Sequence, residues 1–173
     1  MELALEIAVP TNARSFEFDF QFFSAEYPEY VGSLFNDTFW VRLESKNLTG
    51  NISFDKKGTP IRINNAFFSV CQPSQDKPKT LLMCTKPVTL LKGTGYAQNE
   101  CQKGTIGDFT VPNGGSTDWL HTTAPVTPGE TIRLRFSIFD KGDGILDSAV
   151  LIDNFRWKLT PASGAVTGPD GPD

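Results

Sequence analysis

One histidine, His121, is all that 173 residues contain. Catalysis by a Ser-His-Asp set would have to pass through it, and no Gly-x-Ser-x-Gly elbow accompanies it. No apolar run approaches the roughly 20 residues of a membrane-spanning helix. The 16 basic residues are outnumbered by 20 acidic ones and scattered, which excludes the clustered footprint of a nucleic-acid binder. No stretch holds a helical period of useful length. The start of the chain lacks the basic, apolar and small-residue regions of a signal peptide, so any native signal is expected to lie outside this sequence. Three cysteines, Cys71, Cys84 and Cys101, fit no zinc spacing.

What is present is period-two alternation. Leu3, Leu5, Ile7 and Val9 alternate with Glu2, Ala4, Glu6 and Ala8; Phe16, Phe18, Phe20 and Phe22 alternate with Ser15, Glu17, Asp19 and Gln21. The pattern returns at Phe39, Val41 and Leu43, and at Ile132, Leu134, Phe136 and Ile138. Such runs are half-buried strands. Shorter strands are expected at 51–54, 61–63, 66–71, around 88–91 and at 119–122, with a last one over 149–159. Glycine (15) and proline (12) punctuate them, as turns require. The chain is long enough for one full core and too short for two. These features predict a single antiparallel β-sandwich of jelly-roll type over 1–160, built on the strands at 16–22, 39–43, 132–138 and 150–157, with its two ends paired or adjacent. The Gly/Pro/Asp-rich segment 161–173 reads as a disordered tail.

Two acid-rich turns stand against these strands. One holds Glu26, Pro28 and Glu29, followed by Asn36-Asp37. The other holds Asp140, Asp143 and Asp147 around Gly142 and Gly144, with Asp153-Asn154 beyond. The second lacks the closing glutamate and helices of an EF-hand, and Asp143-Gly144 reads as a solvated hairpin turn. Asp153 lies on a strand apolar on both faces, so it is expected to be half-buried and to need a metal, unless Arg42, Arg133, Arg135 or Arg156 neutralises it. Glu26 and Asn36-Asp37 sit among aromatics and call for a counter-charge. Oxygen-only donors suit calcium, which takes about six to eight of them. The expected ligands are Glu26, Asn36, Asp37, Asp147 and Asp153, and the expected role is to tie loops down.

A disulfide suits the cysteines better than zinc. Cys71–Cys84 would close a hairpin-like excursion, Cys84–Cys101 competes with it, and either leaves one thiol over. Tyr27, Tyr30, Trp40 and Tyr96 are the candidate ligand-contacting aromatics. The sequons at Asn36, Asn47 and Asn51 are of a kind common by chance. A glycan-cleaving pair would use Glu26 and Glu29, but Pro28 splays them and an open turn does little to raise a pKa.

The motifs Phe18-Asp19-Phe20-Gln21-Phe22-Phe23-Ser24-Ala25-Glu26-Tyr27-Pro28-Glu29-Tyr30 and Phe35-Asn36-Asp37 resemble the start of the bacterial choice-of-anchor domains of the L type. Asn51-Ile52-Ser53-Phe54-Asp55, Pro60-Ile61-Arg62-Ile63-Asn64-Asn65, Trp119-Leu120 with Ala124-Pro125-Val126, and the run from Asp140 through Phe155 are similar to it as well. The resemblance spans about 3–159, and myxobacterial surface proteins are the nearest in kind. It implies a secreted or surface-displayed module without enzymatic activity, its anchor lying outside this sequence. The reading is therefore a non-catalytic, calcium-stabilised adhesion or recognition module whose partner is a cell-surface glycan or surface protein. A lectin-like calcium-dependent domain is the alternative, and a glycan-cleaving enzyme the rival.

Overall fold

The computed structural model describes residues 1–64, 67–72, 84–97, 105–106, 109–110, 114–141 and 146–169. The expected features at 65–66, 73–79, Cys101, 142–145 (with Asp143) and 170–173 lie outside them.

Two sheets face one another. The first runs β1 (Glu2–Ala8), β12 (Thr131–Phe139), β3 (Thr38–Glu44) and β4 (Thr49–Asn51), with β5 (Ile61–Arg62) also on β3. In the second, β2 (Ser15–Ser24) carries β13 (Ser148–Lys158) along one edge and β11 (Leu120–Pro125) along the other. Outside β11 lies β14 (Val166–Pro169), and the end of β2 continues through β10 (Gly115–Thr117) to β6 (Phe68–Cys71) and β7 (Lys86–Pro87). A separate small ladder joins β8 (Thr105–Ile106) to β9 (Phe109–Thr110). Among the described residues all strand pairings are antiparallel except β6 with β7. Successive long strands (β1, β2, β3, β11, β12, β13) alternate between the sheets, the path of a jelly roll.

Alternation explains the core. Phe16, Phe18, Phe20 and Phe22 are fully buried and face Phe39, Val41, Leu43, Ile132 and Leu134 from the other sheet. The rings of Phe18 and Phe136 meet edge-on at 5.3 Å, and those of Phe20 and Phe39 at 4.8 Å. Each such side chain contributes about 1.5–3 kcal/mol by burial, so the all-Phe face of β2 is the centre of the fold.

Several expectations are corrected. The chain ends do not pair: β1 lies on β12, β13 lies on β2, and these belong to opposite sheets. Residues 166–169, read as part of a disordered tail, form β14 against β11. The strand expected around 88–91 is a 3-10 turn, Val88–Leu91. Asp153 is exposed rather than half-buried. The reason is that β13 is an edge strand. Its Val150 and Ile152 share a face with Phe22 and Phe20, whereas Leu151 points outward and is 52% exposed. An apolar residue on each face did not signify cover on each face.

Candidate functional site

The first acidic turn begins where β2 ends. Ser24 Oγ accepts the Glu26 N–H at 3.1 Å, and the Glu26 carbonyl accepts Tyr30 N–H at 2.9 Å. Tyr27, stacked on Phe68 at 4.4 Å, is buried and pins the turn to the core. Glu26 is thereby held inward at 1% exposure. Asp37 precedes β3 and Asp140 follows β12. Because Thr38 stands opposite Phe139, the next step of that ladder sets Asp37 beside Asp140.

Oxygen atoms of Glu26, Asp37 and Asp140 lie within 4.8 Å of one another, two of the residues buried and Asp140 exposed. The surrounding bonds cross-link four segments. Asp37 Oδ1 accepts Lys141 N–H at 3.2 Å, Asp37 Oδ2 accepts Ser148 Oγ–H at 2.5 Å, and Glu26 Oε2 accepts Asp37 N–H at 3.5 Å. Two unit charges about 4 Å apart repel by roughly 4 kcal/mol at an effective dielectric constant of about 20. Three carboxylates this close therefore favour a cation. Oxygens bound to one calcium at about 2.3–2.6 Å can be no more than about 5 Å apart, so the trio fits one coordination shell. Glu130, also buried, stands apart from other acids: its two oxygens each accept a backbone N–H at 2.7 Å, from Thr127 and Lys46.

Of the five residues expected to bind calcium, Glu26 and Asp37 come together. Asn36 is adjacent, but its Oδ1 accepts Asn64 N–H at 3.2 Å. The Asp147 side chain is exposed, and its carbonyl accepts Ala25 N–H at 3.0 Å. Asp153 lies five residues along β13 from Ser148, about 17 Å away at the strand rise. The third carboxylate beside Glu26 and Asp37 is that of Asp140. The signal was the β3–β12 register, which pairs Asp140 with Asp37 once those two strands are aligned.

The four expected ligand-contacting aromatics do not gather. Tyr27 has its ring in the core, Tyr30 packs edge-on against Phe35 at 5.4 Å, and Tyr96 lies on Phe23 at 5.5 Å. Trp40 is 37% exposed on β3, beside Phe139. Cys71 and Cys84 are disulfide-bonded, with Cα atoms 5.0 Å apart.

Asp153 belongs to a second polar region, on the outer face of the second sheet, that sequence reasoning missed. It stands opposite Asp19 across the β13–β2 ladder. Asp19 Oδ1 is 2.8 Å from His121 Nδ1, and Oδ2 accepts Asn154 Nδ2–H at 2.7 Å. Burial pushes the Asp19 carboxyl up, but the hydrogen bonds from Asn154 and His121 and the positive charges of His121 and Arg156 more than offset it, holding it below its ordinary value. His121 Nε2 lies 3.1 Å from Thr123 Oγ1. The line Asp19–His121–Thr123 has the order of a hydrolase triad, and Glu17 Oε2 lies 3.4 Å from the same His121 nitrogen. Beside this network opens a cavity of about 460 Å³, with Trp119, Asp118 and Lys86 on its wall.

Fold and site define an all-β sandwich module with one end knitted by buried carboxylates. The Choice-of-anchor L domain matches residues 2–156, and the chain belongs to that family. The family is cell-surface-related, and among the described residues no helix is long and apolar enough to cross a membrane. No curated protein and no solved structure gives a match.

Proposed function

We propose that this chain is a non-catalytic, calcium-stabilised recognition or adhesion module, displayed on or secreted from a bacterial cell of the myxobacterial kind. Its partner is a surface glycan or a neighbouring surface protein. The observation that carries the calcium reading is the trio Glu26, Asp37 and Asp140, with oxygens within 4.8 Å and two of the three residues buried. A hard cation there replaces mutual repulsion with attraction and fastens the end of β2, the start of β3 and the end of β12 to one another. Membership of a surface-related family supports the location and the absence of chemistry. Catalysis by Glu26 is disfavoured by its burial: at 1% exposure it offers a polysaccharide no approach, and a bound cation would hold it ionised.

Melting the protein in calcium and in EDTA, with elemental analysis of the purified chain, tests the metal. The expected result is a melting temperature that rises with calcium concentration, because a ligand bound only by the native state stabilises it by mass action. An unchanged melting curve with no calcium found would leave acid–base pairing within the protein as the account of the trio.

A further inference from the structure

We propose that the cavity on the outer face of the second sheet is a saccharide-binding site, with Trp119 as the stacking platform and Asp19, Asp153 and Asn154 as its polar wall. The proposal rests on the recognition-module reading and supplies its ligand class and location. At about 460 Å³ the cavity falls within the roughly 300–1,000 Å³ of small-molecule sites. Trp119 lines it while remaining 40% exposed. An indole in that position offers water a flat apolar surface, and the C–H face of a pyranose ring covers such a surface well.

The polar wall is fixed before any ligand arrives. Asp19, 8% exposed, is gripped on one oxygen by His121 and on the other by Asn154, at 2.8 and 2.7 Å. Each carboxylate oxygen keeps a further lone pair for a hydroxyl donor. Asp153 Oδ1 accepts Asn154 N–H at 2.7 Å. Asn154 has φ of +58°, at a register break between Asp153 and Arg156. A non-glycine residue in that region is strained, and bulges of this kind re-aim side chains at sites. Here the break lets Asn154 turn its amide onto Asp19, across the ladder.

The donors and acceptors on the wall suit the ligand class. Asp19 and Asp153 are directly opposed like charges, which destabilise a ladder on their own. Lys86 pairs with Asp118 at 2.5 Å, and His121 hydrogen-bonds Asp19 at 2.8 Å. Three aspartates, an asparagine and one lysine thus surround an aromatic face. A wall so rich in hydrogen-bond acceptors beside an indole suits a polyhydroxylated ring, whose hydroxyls donate to the carboxylates while its C–H face covers the tryptophan. About 17 Å separates Asp153 from Ser148 at the carboxylate trio, so sugar binding here is independent of calcium.

The test is calorimetric and fluorescence titration of the full chain with cellotriose, chitotriose, maltotriose, xylotriose and mannotriose, backed by an array of bacterial and plant polysaccharides. At least one member should bind saturably and change tryptophan emission, with and without EDTA. Trp119→Ala should weaken it at least tenfold and Asp153→Asn severalfold. Trp119→Phe should retain part of the affinity, and Trp40→Ala all of it, each variant melting like the parent. Absence of binding to every member, full affinity in Trp119→Ala, or binding of N-acetyl-lysine methyl ester in place of sugars would overturn the proposal. Full affinity in Trp119→Ala would leave the recognition-module reading intact. A missing calcium shift would remove the metal from that reading and leave this cavity untouched.

Discussion

Tyr27 rests against the backbone of Gly115, so closely that a Cβ on Gly115 would come within 2.5 Å of the tyrosine Cδ1. Gly115 itself pairs with Ser24 at the end of β2, two residues before Glu26. The absence of a side chain at Gly115, the first residue of β10, thus lets Tyr27 stack on Phe68 and turn Glu26 into the carboxylate trio.

Gly115→Ala should therefore push Tyr27 off its seat, destabilise the domain by about 1–3 kcal/mol as overpacking does, and weaken calcium binding with it. Gly168→Ala is the control: nothing lies within 4 Å of a Cβ there, and its effect should stay within about 0.5 kcal/mol. Urea unfolding of both variants, with and without calcium, decides the matter. Equal stabilities for the two would show that Tyr27 does not depend on Gly115.

How far the sequence speaks follows from what each pattern encodes. The four phenylalanines of β2 announced a buried face because strict alternation has one physical explanation, and the strands at 39–43 and 132–138 spoke the same way. Glu26 and Asp37 were legible because acids among aromatics demand an answer. That Asp140 is the third carboxylate beside them was not legible, since its placement needs the β3–β12 register, a relation between residues about a hundred apart. The misreading of Asp153 has a similar root: local apolarity does not say whether a strand is central or at an edge. Tyr27, expected to contact a ligand, goes into the core instead, and the exposure of Trp119 was not legible, because composition does not fix which face of a short segment is covered.

The Asp19 network predicts an acid limit to its own contribution. Its folded-state pKa is depressed, so its stabilisation is fully present above the ordinary value of 3.8 and is lost as pH falls through the lower folded value. Asp19→Asn should accordingly be less stable than the parent at about pH 5, and from there downward the gap should shrink and close below pH 3.8. Urea midpoints of the two proteins across that range measure it. A gap that widened on acidification would mean the carboxyl is strained rather than favoured in its ionised form.

The Cys71–Cys84 disulfide closes a separation of 13 residues where β6 meets β7 through a short parallel pairing. A loop of about 15 residues implies roughly 3 kcal/mol of stabilisation through the unfolded chain. Reduction, or Cys71→Ala with Cys84→Ala, should lower the melting temperature in proportion. Calcium affinity should hardly change, because neither cysteine belongs to the three segments that supply the carboxylates. Loss of calcium binding on reduction would place the bridge in the site's support after all.

The sharpest test of the carboxylate trio is a change of sign. The calcium proposal makes Asp140 a ligand, so Asp140→Asn should cost at least tenfold in calcium affinity by calorimetry and lower the melting temperature in calcium. Without calcium, the same carboxylate crowds Glu26 and Asp37, whose oxygens lie within 4.8 Å. Removing its charge then relieves repulsion, and Asp140→Asn should melt higher than the parent in EDTA. Asp147→Asn changes an exposed side chain whose residue contributes a carbonyl to Ala25, and it should do neither. A purely structural role for Asp140, as an acceptor for neighbouring donors, predicts destabilisation under both conditions. Only a cation shared among three carboxylates makes one substitution destabilising with calcium and stabilising without it.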